Sequence, residues 1–249
     1  MEDSSPGRTR IVLTVVLPAH NEAEILEASV ADFVGGLRVR RIPFEVVVVE
    51  NGSRDATPAI ADRIATNHPE VSCCQLPAAD YGNALRTGFL AARGATVVNF
   101  DVDFYDLGFV DDALLRMAEP DQPVIVVGSK RAEGADDRRS PQRKLVTGVF
   151  SWVLQFGFGL RLSDTHGMKA MRRDPLVPIV ERCQFGTDLF DTELILRAER
   201  AGLHAVELPV VVVERRPARS PIWRRIPRTL WGLVRLRILL GREASRATR

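Results

Sequence analysis

Two carboxylates one residue apart follow a run of apolar residues near the middle of the chain. Asp101 and Asp103 come directly after Val97–Phe100, a β-branched segment that predicts a buried strand. Neighbouring anions repel each other unless they share a cation, and carboxylate oxygens are ligands that hard divalent ions prefer. The pair therefore predicts a site for Mg²⁺ or Mn²⁺ and a phosphate group, with a solvated acidic turn as the alternative.

Three further segments place polar side chains at the ends of predicted elements. The segment Leu17–Glu22 follows the first apolar run, and Val49–Thr57 follows the second. Asn21 or Glu22 could instead cap a helix, and the second segment could be an ordinary turn. The third segment, Tyr81–Gly88, opens a predicted helix whose free amide groups can face a phosphate.

The elements that must carry these segments alternate between strand and helix patterns. The β-branched runs Ile11–Leu17 and Phe44–Val49 are typical of strands buried on both faces of a parallel sheet. Helical spacing predicts helices over Glu22–Leu37, Thr57–Asn67 and Tyr81–Ala92. The pattern predicts an α/β, Rossmann-like domain with a mostly parallel sheet flanked by helices, in which ligands bind at the carboxyl ends of the strands.

Composition limits the class of protein. The 249 residues are 45% hydrophobic, enough for a large core, and the net charge of +2 argues against a nucleic-acid partner. Three cysteines, Cys73, Cys74 and Cys183, form neither metal-ligand spacing nor a disulfide framework, which favours the cytosol. Residues 1–10 are polar and predict a flexible tail rather than a signal peptide.

The order of the four segments resembles the family 2 inverting glycosyltransferases, which have the nucleotide-sugar-binding GT-A fold. The matching patterns are Pro-x-x-Asn-Glu, Gly-Ser-x-Asp-x-Thr, a Gly-containing helix start and Asp-x-Asp. The resemblance continues through Gly128–Arg131, Ser163–Arg173 and Phe190–Leu194. It is strongest to the branch of dolichol-phosphate mannose synthase and the polyprenyl-phosphate glycosyltransferases. It implies a GT-A domain over residues 11–220, followed by a basic amphipathic segment over residues 221–249.

The resemblance implies a metal-dependent, inverting transfer of a hexose, mannose or glucose, from a GDP- or UDP-sugar to a polyprenyl phosphate. Mg²⁺ or Mn²⁺ held by Asp101 and Asp103 would stabilise the leaving diphosphate. A lipid phosphate is already an anion and needs cations to orient it, whereas a hydroxyl acceptor needs a carboxylate base. Two alternatives stay open: transfer to a hydroxyl of a sugar or lipid, and a nucleotide-sugar-binding protein with impaired catalysis.

The resemblance also assigns roles to individual residues. The residues expected at the donor are Pro18, Ala19, Asn21, Glu22, Glu50, Asn51, Asp55, Gly82, Asp101, Val102, Asp103, and Arg215 or Arg216. The residues expected to act in catalysis are Asp103, Asp164, Arg143 and Asp191. Three positions depart from the family pattern: Asn51, Tyr81 and Tyr105 replace an Asp, a Lys and a Gln.

A cluster of cations precedes the apolar and aromatic run Val149–Phe158. Cations followed by apolar residues suit an anionic head on a hydrocarbon tail, although a solvated basic loop before a core helix is the alternative. The residues expected at the acceptor are Arg131, Arg143, Thr147 and Lys169. With a hydroxyl acceptor, Asp191 or Glu193 is the candidate base. His166 is expected to be a structural hydrogen-bonding residue.

The C-terminal segment mixes Trp and Leu with Arg. The sequence contains no stretch of about 18 uncharged apolar residues, so it predicts no membrane-spanning helix. Trp and Arg on one helix suit a membrane surface with anionic lipids, and a helix packed on the catalytic domain is the alternative. The expected location is cytoplasmic, peripheral at the cytosolic face of the membrane.

Overall fold

The computed structural model describes residues 10–186, 189–212 and 222–247. The strands in this part of the chain are β1 (Leu13–Ala19), β2 (Phe44–Asn51), β3 (Val71–Leu76), β4 (Thr96–Asn99), β5 (Ile125–Ser129), β6 (Asp136–Asp137), β7 (Lys169–Arg172), β8 (Ala205–Pro209) and β9 (Val211–Val212). The helices are α1 (Leu26–Val39), α2 (Thr57–Asn67), α3 (Tyr81–Ala91), α4 (Leu107–Met117), α5 (Pro141–Phe158), α6 (Arg173–Arg182), α7 (Phe190–Arg200) and α8 (Ile222–Ala247).

The main sheet has seven strands in the order β3-β2-β1-β4-β7-β5-β8. Neighbouring strands are parallel except at β7, which is antiparallel to both β4 and β5. Every residue of β1 is buried, as expected for a β-branched strand in the middle of a sheet covered on both faces. The predicted mostly parallel α/β sheet is confirmed.

Helices cover both faces of this sheet. Val30 of α1, Ile64 of α2 and Val110 of α4 belong to the core on one face. The core on the other face includes Leu85 of α3 and Ile195 of α7, together with residues of α5, α6 and α8. This doubly wound arrangement leaves the carboxyl ends of β1, β2 and β4 at one edge, where ligand sites of such sheets lie.

Two predicted element boundaries are wrong for a tertiary reason. Helix α1 begins at Leu26 rather than Glu22 because Asn21 has a positive φ of 54° and the amide of Glu22 is bonded to the side chain of Thr57. Asn21 and Glu22 therefore lie in a loop and do not cap the helix. The last predicted strand, Ala205–Val213, is divided, because β8 pairs with β5 while β9 pairs with β6.

The C-terminal helix α8 packs against the domain through one face. Leu233, Leu236 and Leu240 are buried in the core, and Glu243 forms an ion pair with Arg197 of α7 at 2.7 Å. Another row of apolar residues on the same helix is exposed: Leu230, Trp231, Val234 and Ile238. In the described ranges, no helix combines the length and the hydropathy needed to span a bilayer.

Candidate active site

The segments singled out in the sequence meet at the edge of the sheet where the parallel strands end. Residues after β1, β2 and β4 meet there, and β7 begins there because it runs in the opposite direction. In the register of the sheet, Asn99 at the end of β4 lies beside Lys169 at the start of β7. The reversed strand therefore places a cation next to the carboxylates that follow β4.

Asp101 and Asp103 lie in a tight turn directly after β4. The backbone amide of Phe104 donates to the carbonyl of Asp101 at 3.2 Å, and the amide of Asp101 donates in return at 3.3 Å. The hydroxyl of Tyr81 donates to Oδ1 of Asp101 at 3.0 Å. Burial raises the pKa of Asp101 to about 6, repulsion from Asp103 acts in the same direction, and the bond from Tyr81 opposes both.

The donor set of this turn fits a hard divalent ion that also binds substrate phosphates. Within the described residues, the carboxylate of Asp103 makes no hydrogen bond or ion pair, and no group of three His, Cys, Asp or Glu side chains could hold a metal. Mg²⁺ is commonly held by one or two carboxylates, with substrate phosphates and water as the other ligands. Asp101 and Asp103 match that pattern, and Tyr105 does not join them because its hydroxyl bonds Asp32 at 2.8 Å.

Lys169 and Asp191 form a buried ion pair next to the acidic turn. The Nζ atom of Lys169 lies 2.9 Å from Oδ1 of Asp191 and donates to the carbonyl of Gly167 at 2.8 Å. Lys169 is completely buried, and Asp191 in the first turn of α7 is 4% exposed. The contact that the structure shows for Lys169 is thus with Asp191, and its expected contact with an acceptor stays a prediction.

A second buried pair joins Lys130 and Asp164. The two charged groups are 2.7 Å apart. The turn that carries Asp164 is held by Glu207 of β8, whose Oε1 accepts from the backbone amides of Ser163 and Asp164 at 3.1 and 3.0 Å. The sequence signal for Glu207 is a single acidic residue inside an apolar strand, and its role was not predicted.

His166 follows this turn. Its Nδ1 atom lies 3.1 Å from the hydroxyl of Thr165, and its ring contacts the edge of Phe150. Burial lowers the pKa of His166, which favours the neutral ring. These contacts agree with the structural role predicted for this residue.

The residues expected at the nucleotide form a connected pair of loops after β1 and β2. The side-chain oxygen of Asn21 accepts from the amide of Arg54 at 2.9 Å, while the amide of Asn21 donates to Ser53. Asp55 accepts from the amide and hydroxyl of Thr57. Burial acts to raise the pKa of Asp55, but the hydrogen bonds from Thr57 and from the amide of Ala23 outweigh it and lower this pKa. Asn21 and Asp55 therefore fix the loops, and any contact with a nucleotide stays a prediction.

Two strand-end residues of β2 also bind backbone groups. Glu50 accepts from the amide of Ser53 at 2.6 Å, and the side chain of Asn51 accepts from the amide of Asp80 at 2.7 Å. Gly52 between these segments has a φ of +61°, and a Cβ there would lie 2.6 Å from the backbone carbon of Ala78. The close approach of the loop before α3 therefore requires glycine at this position.

Several expected donor residues are buried. Pro18 and Ala19 are buried within β1, and Gly82 is buried in the first turn of α3. Val102 is 2% exposed and packs in the core, while its carbonyl accepts from Ser29 at 2.8 Å. The expected contact between Val102 and a donor stays a prediction. Arg215 and Arg216 lie outside the described residues.

The residues expected at the acceptor lie on and beside α5. Arg143 and Thr147 are half-buried on one side of this helix. Arg131 is exposed and lies against α5, where a Cβ on Gly148 would be 3.3 Å from its Nη1 atom. The structure therefore places Arg131 beside the helix that carries Arg143 and Thr147. Lys169, in contrast, lies in the core.

Comparisons with other proteins match most of the chain. The family model described as glycosyl transferase family 2 matches residues 14–178. AglD of Haloferax volcanii, a glycosyltransferase, is 30% identical over 205 residues, which are 80% of this chain and 33% of AglD. A dolichyl-phosphate beta-glucosyltransferase of Trichomonas vaginalis, ALG5A, is 27% identical over 80% of this chain and 65% of its own length. The chain thus spans only part of these two relatives.

A further relative is covered over most of its length. The undecaprenyl-phosphate mannosyltransferase of Micrococcus luteus is 32% identical over 215 residues, which are 82% of this chain and 84% of that protein.

Solved structures share the fold. The mannosyltransferase PcManGT from Pyrobaculum calidifontis, in complex with GDP-Man and Mn²⁺, has a TM-score of 0.60 and 25% identity over 89% of this chain and 61% of that one. Glucosyl-3-phosphoglycerate synthase from Mycobacterium tuberculosis, in complex with Mn²⁺, UDP and phosphoglyceric acid, has a TM-score of 0.60 and 25% identity. The match covers 83% of this chain and 72% of that one. The expected GT-A fold is confirmed. Since the matching family model spans the strand-end loops and the acidic turn, the chain belongs to glycosyl transferase family 2.

Proposed function

We propose that the protein transfers a hexose from a nucleoside-diphosphate sugar to a polyprenyl phosphate, with inversion at the anomeric carbon. The observation that carries the proposal is the pairing of two sets of charges at one sheet edge. Asp101 and Asp103 are suited to a cation and a diphosphate, while Lys130 lies in a buried pair with Asp164 at 2.7 Å. Relatives named for dolichyl phosphate and undecaprenyl phosphate support the acceptor class.

On the donor side, the acidic turn would hold Mg²⁺ or Mn²⁺. When bound there, the ion would offset the negative charge that develops on the leaving diphosphate. Tyr81 fixes the orientation of the Asp101 carboxylate through its 3.0 Å hydrogen bond. The loops held by Asn21 and Asp55 would shape the nucleoside pocket, and the base and the hexose are set by that pocket rather than by the acidic turn.

On the acceptor side, a phosphate oxygen attacks the anomeric carbon as the bond from that carbon to the diphosphate breaks. A phosphate is already anionic at neutral pH, so no residue must remove a proton from it. The requirement is orientation by cations, for which Arg131 and Arg143 are the candidates. Asp191 would act through Lys169, since the two are paired at 2.9 Å.

The proposed place of action is the cytosolic face of a membrane, with the protein bound peripherally. The exposed row of α8, which is Leu230, Trp231, Val234 and Ile238, supports this. Apolar residues in a row on a basic helix are typical of binding at the lipid interface.

The function is tested by incubating the protein with radiolabelled GDP-mannose or UDP-glucose, a polyprenyl phosphate and Mn²⁺. The expected product is extracted into organic solvent. Asp103→Asn should lower the rate by about 100-fold or more, whereas Asp112→Asn, an exposed carboxylate on α4, should leave it unchanged. Label that appears only on hydroxyl acceptors would refute the assignment of a lipid phosphate as acceptor. Donor binding without transfer to any acceptor would favour a binding protein.

A further inference from the structure

A glycine that precedes α7 lies against the start of α3. A Cβ on Gly186 would overlap Oδ2 of Asp80 and would lie 2.6 Å from its Oδ1. Asp80 caps α3, and Tyr81, the next residue, bonds Asp101 in the acidic turn. We infer that Gly186 and Asp80 are positioning residues for the acidic turn, because their contact fixes the start of α3. The inference rests on the proposed function, in which this turn holds the metal.

The backbone conformation of Gly186 does not explain why a glycine occupies this position. Its φ lies outside the left-handed region, in contrast to the φ of Gly52 and of Gly167. Backbone strain therefore does not require glycine at Gly186. The carboxylate of Asp80 leaves no space for a side chain. The reason for glycine here is thus the close approach of two distant segments.

The cap of α3 holds Asp80 in place. Its Oδ1 atom accepts from the backbone amide of Asn83 at 3.0 Å, and its own amide donates to the side chain of Asn51 at 2.7 Å. A carboxylate that accepts from the first amides of a helix stabilises the start of that helix. Displacing this carboxylate would therefore loosen the first turn of α3, which begins with Tyr81.

The segment that carries Gly186 is anchored as well. The backbone amides of Gln184 and Phe185 both donate to Oε2 of Glu193 at 2.8 Å, and Glu193 is completely buried. The ring of Phe185 packs against the core, with the guanidinium of Arg235 of α8 5.7 Å from its centre. Because this segment is held on its own side, a side chain added at Gly186 must displace the cap of α3 instead.

The position of Tyr81 can be read directly by NMR. The chain has two tyrosines, so ¹³C labelling at tyrosine Cζ gives two resonances, which Tyr105→Phe assigns. Gly186→Ala should shift the Tyr81 resonance, since the hydroxyl moves relative to Asp101, and should leave that of Tyr105 in place. This measurement requires neither metal nor substrate.

Metal binding gives a second reading. Gly186→Ala should raise the Kd for Mn²⁺, measured by calorimetry in the presence of GDP or UDP, by about three- to tenfold, the net value of one hydrogen bond. Combined with Tyr81→Phe it should add nothing, because both changes act through the same hydroxyl. Gly35→Ala is the matched control, since a Cβ at this exposed position of α1 meets nothing within 4 Å. It should change neither reading.

A second substitution should rescue the first. Asp80→Gly removes the oxygens that the new methyl group meets, and glycine is tolerated at an N-cap. The double variant of Gly186→Ala with Asp80→Gly should therefore match Asp80→Gly alone, both in the Tyr81 resonance and in the Kd for Mn²⁺.

The outcomes separate the contact from the proposed function. An unchanged Tyr81 resonance in folded Gly186→Ala overturns the inference, and so does a loss of affinity that Asp80→Gly does not restore. If Gly186→Ala does not fold, a folded double variant supports the contact and an unfolded one overturns it. A shifted and rescued Tyr81 resonance in a protein that binds no Mn²⁺ supports the contact and refutes the metal site of the proposed function.

Discussion

Tyr81 occupies the position at which the family pattern has a lysine. Its hydroxyl donates a hydrogen bond to Asp101, the first carboxylate of the acidic turn. The bond to Asp101 measures 3.0 Å and opposes the effect of burial on the pKa of that residue. A hydroxyl that donates to a carboxylate stabilises its ionised form. Tyr81 is thus a positioning residue that helps to keep Asp101 charged and oriented for a cation.

Removing this hydroxyl should weaken cation binding. Tyr81→Phe should raise the Kd for Mn²⁺, measured by calorimetry in the presence of GDP or UDP, by about three- to tenfold, the net value of one ordinary hydrogen bond. The chain has two tyrosines, which provides a control. Tyr105→Phe removes a hydroxyl that bonds Asp32 and should leave the Kd unchanged. Equal effects of both variants would contradict the assignment.

The buried pair of Lys169 and Asp191 should matter for stability as well as for orientation. Lys169→Met leaves the Asp191 carboxylate buried without its cation, and such uncompensated charges cost about 3–5 kcal/mol. Urea unfolding should show a loss of that size in the free energy of unfolding. Lys144→Met, which alters an exposed lysine, should cost under about 0.5 kcal/mol. An unchanged midpoint for Lys169→Met would refute the structural role of the pair.

Some of these residues could be predicted from the sequence and others could not. Asp101 and Asp103 are neighbours along the chain, so their pairing is visible in the sequence alone. The bond of Tyr81 to Asp101 crosses 20 residues, and the support of Asp164 by Glu207 crosses 43. Contacts of that kind depend on the order of strands in the sheet, which residue spacing does not reveal.

At the scale of elements, α7 and α8 are joined through one arginine. Arg197 donates to Glu193 on its own helix at 2.8 Å and to Glu243 of α8 at 2.7 Å. The other oxygen of Glu193 accepts from the amides of Gln184 and Phe185, both at 2.8 Å. Glu193, offered by the sequence as a candidate base, thus holds a loop and an arginine, which leaves it poorly placed to accept a proton from an acceptor.

The docking of α8 should depend on pH through Glu243. The hydrogen bond from Arg197 lowers the pKa of this carboxyl in the folded protein. The contribution of this ion pair to the free energy of unfolding is therefore complete above the ordinary glutamate pKa of about 4.3. It is lost as the pH falls through the lower pKa that Glu243 has in the folded protein. The difference in unfolding midpoint between the wild type and Glu243→Gln should be full at neutral pH and shrink in acid.

A control isolates this carboxyl from general acid unfolding. Glu24→Gln alters an exposed glutamate. Its unfolding midpoint should stay near that of the wild type at every pH. A Glu243→Gln difference that does not change with pH would show that the ion pair does not stabilise the fold.

The helices differ in how well the sequence predicted their bounds. Helix α2 has the predicted bounds, Thr57–Asn67, and α3 is one residue shorter than predicted. Both depend on local spacing of apolar residues. The start of α1 depends instead on the loop before it, whose amides donate to side chains of Ser53, Asp55 and Thr57 that lie 32 to 35 residues further along the chain. A local pattern could not give it.

At the scale of the whole molecule, α8 packs one apolar face against the domain and exposes another. In the proposed function, the exposed row contacts the lipid surface. For α8 the sequence offered a packed helix or an interfacial helix. The structure shows the packed face, and the exposed row leaves room for the other role, since a helix can present different faces to two environments.

The lipid contact of α8 can be tested with a tryptophan variant. Trp231→Ser, at a residue that is 66% exposed, should lower co-sedimentation with vesicles of anionic lipid about tenfold, because an interfacial Trp is removed. Leu115→Ser, which alters a 71% exposed leucine on α4, is the matched control and should leave co-sedimentation unchanged. Equal losses in both variants would contradict the assignment of α8 to the lipid surface.

The exposed apolar residues of α5 and α8 also govern how the protein behaves when lipid is absent. Trp152, Phe156 and Trp231 are all more than half exposed, and apolar patches left in water promote association between molecules. In buffer without lipid or detergent, we expect the molecules to associate with one another through these exposed apolar surfaces. The monomer suited to kinetic work is therefore the one kept in a mild detergent, which occupies the same surfaces reversibly.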